Sequence, residues 1–406
     1  MFETTLDNGI RVLSEHIPSV RSAAVGIWVR RGSAHELPDD IGVSHLLEHM
    51  VFKGTKKRGA AEIATALEGL GGSLDAYTSR EHTSYQARVL AEHLPEALDV
   101  LADLVLDPLL REEDMELERE VVLEEIAQVD DTPADLVFEL HSARLWRGHP
   151  YGRSILGTKG SVGGMPAERL RALHEEHYVG TNLVVAAAGS VEHDDFVDRV
   201  YGLFGRVGRG EVSAPVAAHG STASGTESVS RPSAQTHIVF GTDGPEHASV
   251  DRHPMVLLSA ALGGGMSSRL FQKVREELAL CYSVFTYQSF YSRAGVTGVY
   301  VGTRPATADR AADVVCTELA RVTDEGLSAS DLGRIKQQVK GQIMLSLEST
   351  DARLYRLASF ALHEEPFIGL DGLLKKIDAV TEDDIRRVAA LWFHPHKHLE
   401  LRLGPA

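Results

Sequence analysis

The chain contains one pattern of helix, turn and strand twice, once near the end of each half. The segments Met165–Gly189 and Val380–Gly404 align without a gap at an offset of 215 residues. Each begins with a capped amphipathic helix, continues through an aromatic residue (Tyr178 or Phe393) and a short turn, and ends in a β-rich strand that stops at a glycine. Because the three parts recur in register, we expect two homologous domains of the same architecture.

The length of the chain and one polar stretch indicate how the two domains are divided. With 406 residues the chain exceeds the size at which a single hydrophobic core stops growing, about 250–300 residues. The stretch 208–230 is polar and rich in glycine and serine, which is typical of an exposed linker. We therefore predict an N-terminal domain of residues 1–207, this linker, and a homologous C-terminal domain of residues 231–406.

Strand and helix patterns in the first half indicate the fold class. Apolar and β-branched runs predict strands at Ser22–Arg30, along Ser73–Leu90 and at Asn182–Ala188. Helical periodicity predicts helices at Ala61–Leu70, which two glycines follow, and at Pro95–Leu106. This interleaving predicts an α+β class: two homologous α/β-sandwich domains, each a mainly antiparallel sheet packed with helices and joined by a linker.

The first half carries a possible metal-binding motif, His45-Leu46-Leu47-Glu48-His49. On a helix, His45, Glu48 and His49 occupy positions i, i+3 and i+4 and project from one face. Two imidazoles one turn apart can both bind Zn²⁺, while the carboxylate beside them stays free to act as a base. This order is the inverzincin pattern H-x-x-E-H. Because five residues can match by chance, a third ligand is needed to support the site.

An acidic segment, Glu112–Asp130, offers that third ligand. Helical projection gives it an apolar stripe that also contains two carboxylates. The stripe consists of Glu118, Val122, Glu125 and Val129, flanked by Met115, Val121 and Ile126. Burying two carboxylates is costly unless a positive charge meets them, and a metal held by His45 and His49 would supply it. The alternative is that both acids lie at the margin of the stripe and pair with arginines.

Several runs of the sequence resemble one family of enzymes. His45–Thr55, Gly71–Glu81 and Glu118–Asp130 are similar to motifs of the pitrilysin/insulinase-type zinc peptidases. The likeness extends to the opening run Leu6–Val12 and to the glycine-rich run Gly263–Arg275, so it covers essentially the whole chain. It is greatest for the two-domain branch that includes the β subunit of the mitochondrial processing peptidase.

The resemblance implies a zinc-dependent metalloendopeptidase that cleaves extended peptides or presequence-like segments inside a chamber. It implies one Zn²⁺ per chain, held by His45, His49 and Glu125, with a fourth position open for water. Glu48 would be the general base, and Glu118 would orient a histidine ligand without binding the metal itself. The second half has no H-x-x-E-H motif and is expected to have kept the scaffold without the metal.

The resemblance also assigns residues that would contact the substrate. Arg275 and Tyr282 match an Arg/Tyr pair suited to bind a peptide carbonyl and the oxyanion that develops on it. The alternative is a salt-bridged arginine and a tyrosine packed in the core. A peptide would add as a strand along Asp75, Ala76 and Tyr77. The family often has Asn at the position of Asp75, so its side-chain contact with the peptide need not be the same here. Pairing through the backbone does not depend on the side chain, and we expect it at this position.

Two acids beyond Glu125 match positions at which processing peptidases bind a substrate arginine near the scissile bond. Asp135 and Glu139 lie at i and i+4, on one face of a continuing helix. The resemblance implies that they select peptides with arginine on the N-terminal side of the cut. The alternative, that both are solvated helix acids, stays open.

Composition limits the partners and the compartment. A net charge of −17 argues against nucleic acid or an anionic membrane as partners. Two cysteines, the absence of a long apolar run and a start without a signal-peptide pattern favour a bacterial cytoplasmic protein. The resemblance implies a homodimer. Two alternatives remain: a non-catalytic scaffold or binding subunit of the same family, and a peptidase dedicated to maturing one particular peptide.

Overall fold

The computed structural model describes residues 1–405, which form two compact units. The first unit consists of Met1–Ala127, Arg153–Val216 and Leu345–Phe367. The second consists of Gln128–Gly152, Ala217–Met344 and the chain from Ile368 onward. Each unit therefore includes one segment from the opposite half of the sequence, an exchange that the internal repeat does not predict.

The first unit contains a six-stranded sheet in the order β1-β2-β6-β3-β5-β4. Its strands are β1 (Phe2–Thr5), β2 (Arg11–His16), β3 (Ser22–Val29), β4 (Ser73–Thr78), β5 (Thr83–Leu90) and β6 (Leu183–Gly189). Only β2 and β6 run parallel, and every other neighbouring pair is antiparallel. The predicted strand run Ser73–Leu90 is thus a hairpin, with β4 at one end of the sheet.

The second unit contains a five-stranded sheet in the order β7-β11-β8-β10-β9. Its strands are β7 (Gly225–Ser230), β8 (Thr236–Asp243), β9 (Cys281–Phe290), β10 (Gly295–Thr303) and β11 (Leu399–Gly404). In each sheet the strand that closes the sequence repeat, β6 or β11, has one parallel and one antiparallel neighbour. The mainly antiparallel sheets and the duplicated topology confirm the predicted fold class.

One part of the predicted linker is not a linker. The last six residues of the stretch 208–230 form β7, which pairs in parallel with β11. Burial alternates along its second half, where Glu227 and Val229 are half-buried, although Val229 is the one apolar side chain of the strand. Such a strand has too little apolar character to be recognised by sequence alone.

Fourteen α-helices in residues 1–405 surround the two sheets. They are α1 (Val43–Val51), α2 (Ala60–Glu68), α3 (Leu94–Leu106), α4 (Glu112–Asp131), α5 (Pro133–Leu145), α6 (Lys159–Gly163), α7 (Ala167–His177), α8 (His193–Phe204), α9 (Arg252–Gly263), α10 (Ala308–Glu325), α11 (Ala329–Ser346), α12 (Thr350–Leu362), α13 (Leu370–Ala379) and α14 (Glu382–Val388). None of them is long and apolar enough to cross a membrane. Two stretches, Phe271–Glu277 and Ala389–Phe393, are π-helical.

The exchanged segments each cover one face of a sheet. One face of the first sheet packs against α1, α2, α3, α7 and α8 in the main core of the unit. Its other face packs against α12, where Leu354 and Leu357 are buried against Trp28 and its neighbours. In the second unit, α5 plays the same part and buries Leu136 and Val137 against the sheet. Both sheets are therefore covered on both faces.

The boundary between α4 and α5 corrects one prediction. The sequence placed Asp135 and Glu139 on a continuation of the helix that carries Glu125. Instead, α4 ends at Asp131 and a new helix begins at Pro133. Proline has no N–H for the helical ladder and disfavours helical geometry at the residue before it, so Thr132 is extended, with φ −110° and ψ 91°. The two acids belong to α5 in the second unit.

Candidate metal centre

The helix that carries the metal motif is fixed in the core of the first unit. Leu46, Leu47 and Met50 are fully buried and hold α1 against the neighbouring helices and sheet. The helix begins after Gly42, whose φ is +94°. A Cβ at that position would lie 2.8 Å from the carbonyl oxygen of Leu156, so both the backbone conformation and the space require glycine.

A buried carboxylate caps this helix. Glu36 accepts hydrogen bonds from the N–H groups of Gly42 at 2.8 Å and Ser44 at 2.9 Å. Burial raises the pKa of Glu36 to about 7, and the two backbone hydrogen bonds oppose that rise. The first N–H groups of a helix have no partner within it, and this acid satisfies one of them, that of Ser44, while it also holds Gly42, the residue before the helix.

Three side chains meet as metal ligands do. Nε2 of His45 lies 3.6 Å from one carboxylate oxygen of Glu125, and Nε2 of His49 lies 3.7 Å from the other. Ligand atoms at about 2.1 Å from a tetrahedral zinc are separated by about 3.4 Å. Within residues 1–405 this is the one group of three or more His, Cys, Asp or Glu side chains close enough to hold a metal. The donor set and its spacing fit Zn²⁺.

Glu118 contacts one of the two histidines. Nδ1 of His49 donates a hydrogen bond to one carboxylate oxygen of Glu118 at 2.9 Å, and the other oxygen contacts Nζ of Lys53 at 2.5 Å. The Glu118 side chain is 6% exposed, so Lys53 offsets the cost of burying its charge. With Nδ1 engaged by the carboxylate, the Nε2 lone pair of His49 is left free to bind a metal.

His45 differs from His49 in its surroundings. Its Nδ1 is buried and has no hydrogen-bond partner in the described chain. Burial, and then the neighbouring His49, lower the pKa of His45 to about 4. The imidazole is therefore neutral near pH 7, and neutral imidazole is the form that binds a metal.

Glu48 shares helix α1 with the two histidines and is 9% exposed. The hydroxyl of Thr78 donates a hydrogen bond to its Oε2 at 2.7 Å. Burial, with a smaller contribution from the charge of Glu125, raises the pKa of Glu48, while the hydroxyl and backbone of Thr78 and the nearby His49 lower it. A carboxylate whose pKa is moved toward neutrality is suited to accept and return a proton.

The acidic helix α4 buries the stripe of residues that the sequence predicts, with one exception. Met115, Glu118 and Val122 are buried, whereas the acids on the opposite side are exposed. These exposed acids are Glu116, Glu120 and Glu124. Val121, which we placed beside the buried stripe, is 46% exposed. A step of 100° from Val122 is enough to turn it into solvent.

The predicted substrate strand is β4, which pairs on one side only, with β5. Its residues Asp75, Ala76 and Tyr77 face Gln86, Tyr85 and Ser84 of the hairpin. The hydroxyl of Tyr77 makes a hydrogen bond with Nε2 of His82 at 3.1 Å. The backbone edge of β4 away from β5 is the part of this strand that can accept another strand.

The second unit brings Arg275 and Tyr282 together. The guanidinium of Arg275 lies 4.9 Å from the ring centroid of Tyr282 and 4.5 Å from that of Phe271. Tyr282, on β9, is 77% exposed, so it is not packed in the core as the alternative predicted. The arginine part of that alternative agrees with the structure, because Nε of Arg275 lies 3.8 Å from a carboxylate oxygen of Glu276. On α5, Asp135 is exposed and Glu139 is half-buried.

The sequence did not reveal three polar residues that contact the start of α1 or the acids of the centre: Glu36, Lys53 and Thr78. Lys53 and Thr78 lie inside the runs His45–Thr55 and Gly71–Glu81, which were singled out for other residues. Glu36 precedes the start of α1 by a short loop, and an acid before a helix N-terminus is the signal that could have identified it.

Comparison with known proteins identifies the family of the chain. Residues 11–159 match the Insulinase (Peptidase family M16) domain, and residues 164–339 match the Peptidase M16 inactive domain. An uncharacterized zinc protease of Streptomyces coelicolor is 40% identical over 393 residues, covering 95% of this chain and 86% of that protein. The uncharacterized zinc protease YmxG of Bacillus subtilis is 36% identical, covering 96% and 95% of the two chains.

Solved structures show the same fold. A peptidase M16 inactive-domain protein of Pseudomonas fluorescens has a TM-score of 0.94 at 20% identity, covering all of this chain and 98% of that one. A protease of Helicobacter pylori has a TM-score of 0.91 at 21% identity, covering 100% and 99%. At these identities the likeness concerns the fold alone. The sequence matches, together with the His-His-Glu centre, show that the chain belongs to the insulinase (M16) family of peptidases.

Proposed function

We propose that this protein is a zinc-dependent metalloendopeptidase that binds one Zn²⁺ per chain and cleaves extended peptides or presequence-like segments. The observation that carries the proposal is that Nε2 of His45 and Nε2 of His49 lie 3.6 and 3.7 Å from the two carboxylate oxygens of Glu125, with Glu48 on the same helix as both histidines. Three ligands leave a position open, which is typical of catalytic rather than structural zinc sites.

The residues of the centre have separate roles in this proposal. Zinc bound by His45, His49 and Glu125 would supply Lewis acidity and make a water molecule acidic near neutral pH. Glu48 would accept the proton of the attacking water and later return it to the leaving amine. Glu118 would hold His49 in the tautomer that binds metal.

Two further sets of residues would contact the peptide. An extended peptide would pair with the free edge of β4 at Asp75, Ala76 and Tyr77, because backbone pairing gives affinity with little demand on sequence. Arg275 and Tyr282 would donate hydrogen bonds to the scissile carbonyl and its oxyanion. Their mutual stacking and the exposure of Tyr282 support this role.

The preference for arginine is the first prediction. If Asp135 and Glu139 bind a substrate arginine, peptides with arginine close to the N-terminal side of the cut should be cleaved about 10–100-fold faster than matched peptides without it. This ratio corresponds to the free energy of one charge-assisted hydrogen bond. Asp135→Asn/Glu139→Gln should abolish this preference in a peptide-library profile, and high salt should weaken it in the wild type.

A matched control removes two acids elsewhere. Glu116 and Glu120 are exposed on α4 at the same i, i+4 spacing, so Glu116→Gln/Glu120→Gln changes the net charge equally. Its cleavage profile should equal that of the wild type. An unchanged profile in the Asp135/Glu139 variant would mean that these acids are solvated helix acids.

The assembly is the second prediction. We expect a homodimer, a particle of about 90 kDa formed by two chains of 44.1 kDa. Size-exclusion chromatography with light scattering at the concentrations used for cleavage measures this directly. A fully active particle with the mass of one chain would contradict the proposal of a dimer without touching the metal centre.

The second candidate, a non-catalytic scaffold or binding subunit, has less support. The matched inactive-domain family covers residues 164–339, but the first half matches the Insulinase domain and retains all three ligands and Glu48. Cleavage of a quenched peptide by the zinc-loaded wild type separates the two candidates, since a scaffold would bind the peptide and leave it intact.

A further inference from the structure

Thr78 ends the strand β4 and faces the metal centre. Along β4, Leu74 and Ala76 pack against the main core of the first unit, and alternation places Thr78 on that same face. Its backbone is fixed by pairing with Thr83 on β5. The position of its hydroxyl is therefore set by the sheet and not by a mobile loop.

The hydroxyl of Thr78 donates to only one of the two oxygens of Glu48. The bond reaches Oε2 at 2.7 Å, the short distance typical of a hydroxyl bound to a carboxylate. Glu48 is on α1, so this bond joins the motif helix to the end of the sheet. A base needs one oxygen held and the other aimed at the proton that it takes, and this contact provides the first condition.

We propose that Thr78 is the positioning residue of the general base: it holds Oε2 of Glu48 so that Oε1 is presented to the attacking water. This inference rests on the proposed peptidase function. Since β4 also offers the free edge at which we place the peptide, a single strand would hold both the substrate backbone and the base in register.

The test compares two valine substitutions in one cross-strand pair. Thr78→Val removes the hydroxyl at nearly constant shape and should lower kcat about 10–100-fold, the usual worth of a hydrogen bond to a charged group. KM and zinc content should stay at wild-type values, because no ligand or substrate contact is lost. Thr78→Ser, which restores the hydroxyl, should return kcat to within about threefold.

Thr83→Val is the matched control. Thr83 faces Thr78 in the pairing, but its hydroxyl donates to the carbonyl oxygen of Arg31 at 3.0 Å and not to Glu48. Its kcat should equal that of the wild type, with any loss of stability seen only in the melting temperature. A crystal structure of metal-free Thr78→Val should show the Glu48 carboxylate rotated or in more than one position. This measurement tests the orientation of Glu48 without relying on peptidase activity.

Each result has a distinct meaning. Wild-type kcat in Thr78→Val, or equal losses in Thr78→Val and Thr83→Val, would overturn the positioning role while leaving the peptidase intact. If the protein is not a peptidase, the result is different, because the zinc-loaded wild type would then cleave no peptide. Failure of Thr78→Ser to recover kcat would also count against the hydroxyl as the active element.

Discussion

Glu48→Gln is expected to keep its zinc and lose nearly all peptidase activity. The amide cannot accept the proton of the attacking water, and general-base catalysis by a positioned side chain contributes about 10²–10⁴-fold. The substitution is nearly isosteric, and the amide oxygen can still accept the hydroxyl of Thr78, so the fold should be unchanged. Cleavage of a quenched peptide and metal analysis of the same sample measure both properties.

The control for this variant is Glu124→Gln, the same change at an exposed acid of α4 that faces away from the centre. It should cleave at the wild-type rate. Full activity in Glu48→Gln would contradict the role of Glu48 as the base, whereas equal losses in both variants would indicate damage unrelated to the proton transfer.

Removing a metal ligand should also abolish nearly all peptidase activity, but through loss of zinc and not through loss of the base. Glu125→Ala or His49→Ala deletes one of three ligands, so the loss of zinc affinity should exceed the about 10–100-fold that the loss of an outer hydrogen-bond partner costs. The Glu125 side chain is 38% exposed, so Glu125→Ala should change the free energy of unfolding of the metal-free protein little. His49→Ala also removes a hydrogen-bond partner of the buried Glu118 and should lower that free energy while leaving the fold in place.

Glu124→Ala, one residue before Glu125 and exposed, is the matched control for Glu125→Ala. Dialysed samples of both variants should differ in zinc content by metal analysis while their circular dichroism spectra coincide. A Glu125→Ala protein that retains zinc as tightly as Glu124→Ala would exclude Glu125 as a ligand.

The parts of the fold that the sequence predicts are those with a local signal. The helix and strand of the repeat have their own periodicities, and they appear as α7 with β6 and as the last helix with β11. The stripe on α4 follows from the helical period alone, which is why Glu118 and Val122 are buried as expected. The metal motif was recognisable because its three polar residues fall within two helical turns.

The parts that the sequence does not predict depend on packing between distant segments. The placement of α12 on the first sheet buries Leu354 and Leu357, but their helical period does not say which sheet they meet. β7 has too few apolar residues for its pairing with β11 to be predicted. The contact of Lys53 with Glu118 joins the turn after α1 to α4, and only the structure shows that these two segments pack together.

The measurement closest to the central claim is a zinc titration of the metal-free wild-type protein, followed by cleavage of a quenched peptide. The account predicts no cleavage without metal, a linear rise as zinc is added, and a plateau at one zinc per chain, because one His-His-Glu group holds one ion. Cleavage that persists in the metal-free protein, or zinc binding at one per chain with no cleavage of any extended peptide, would contradict it.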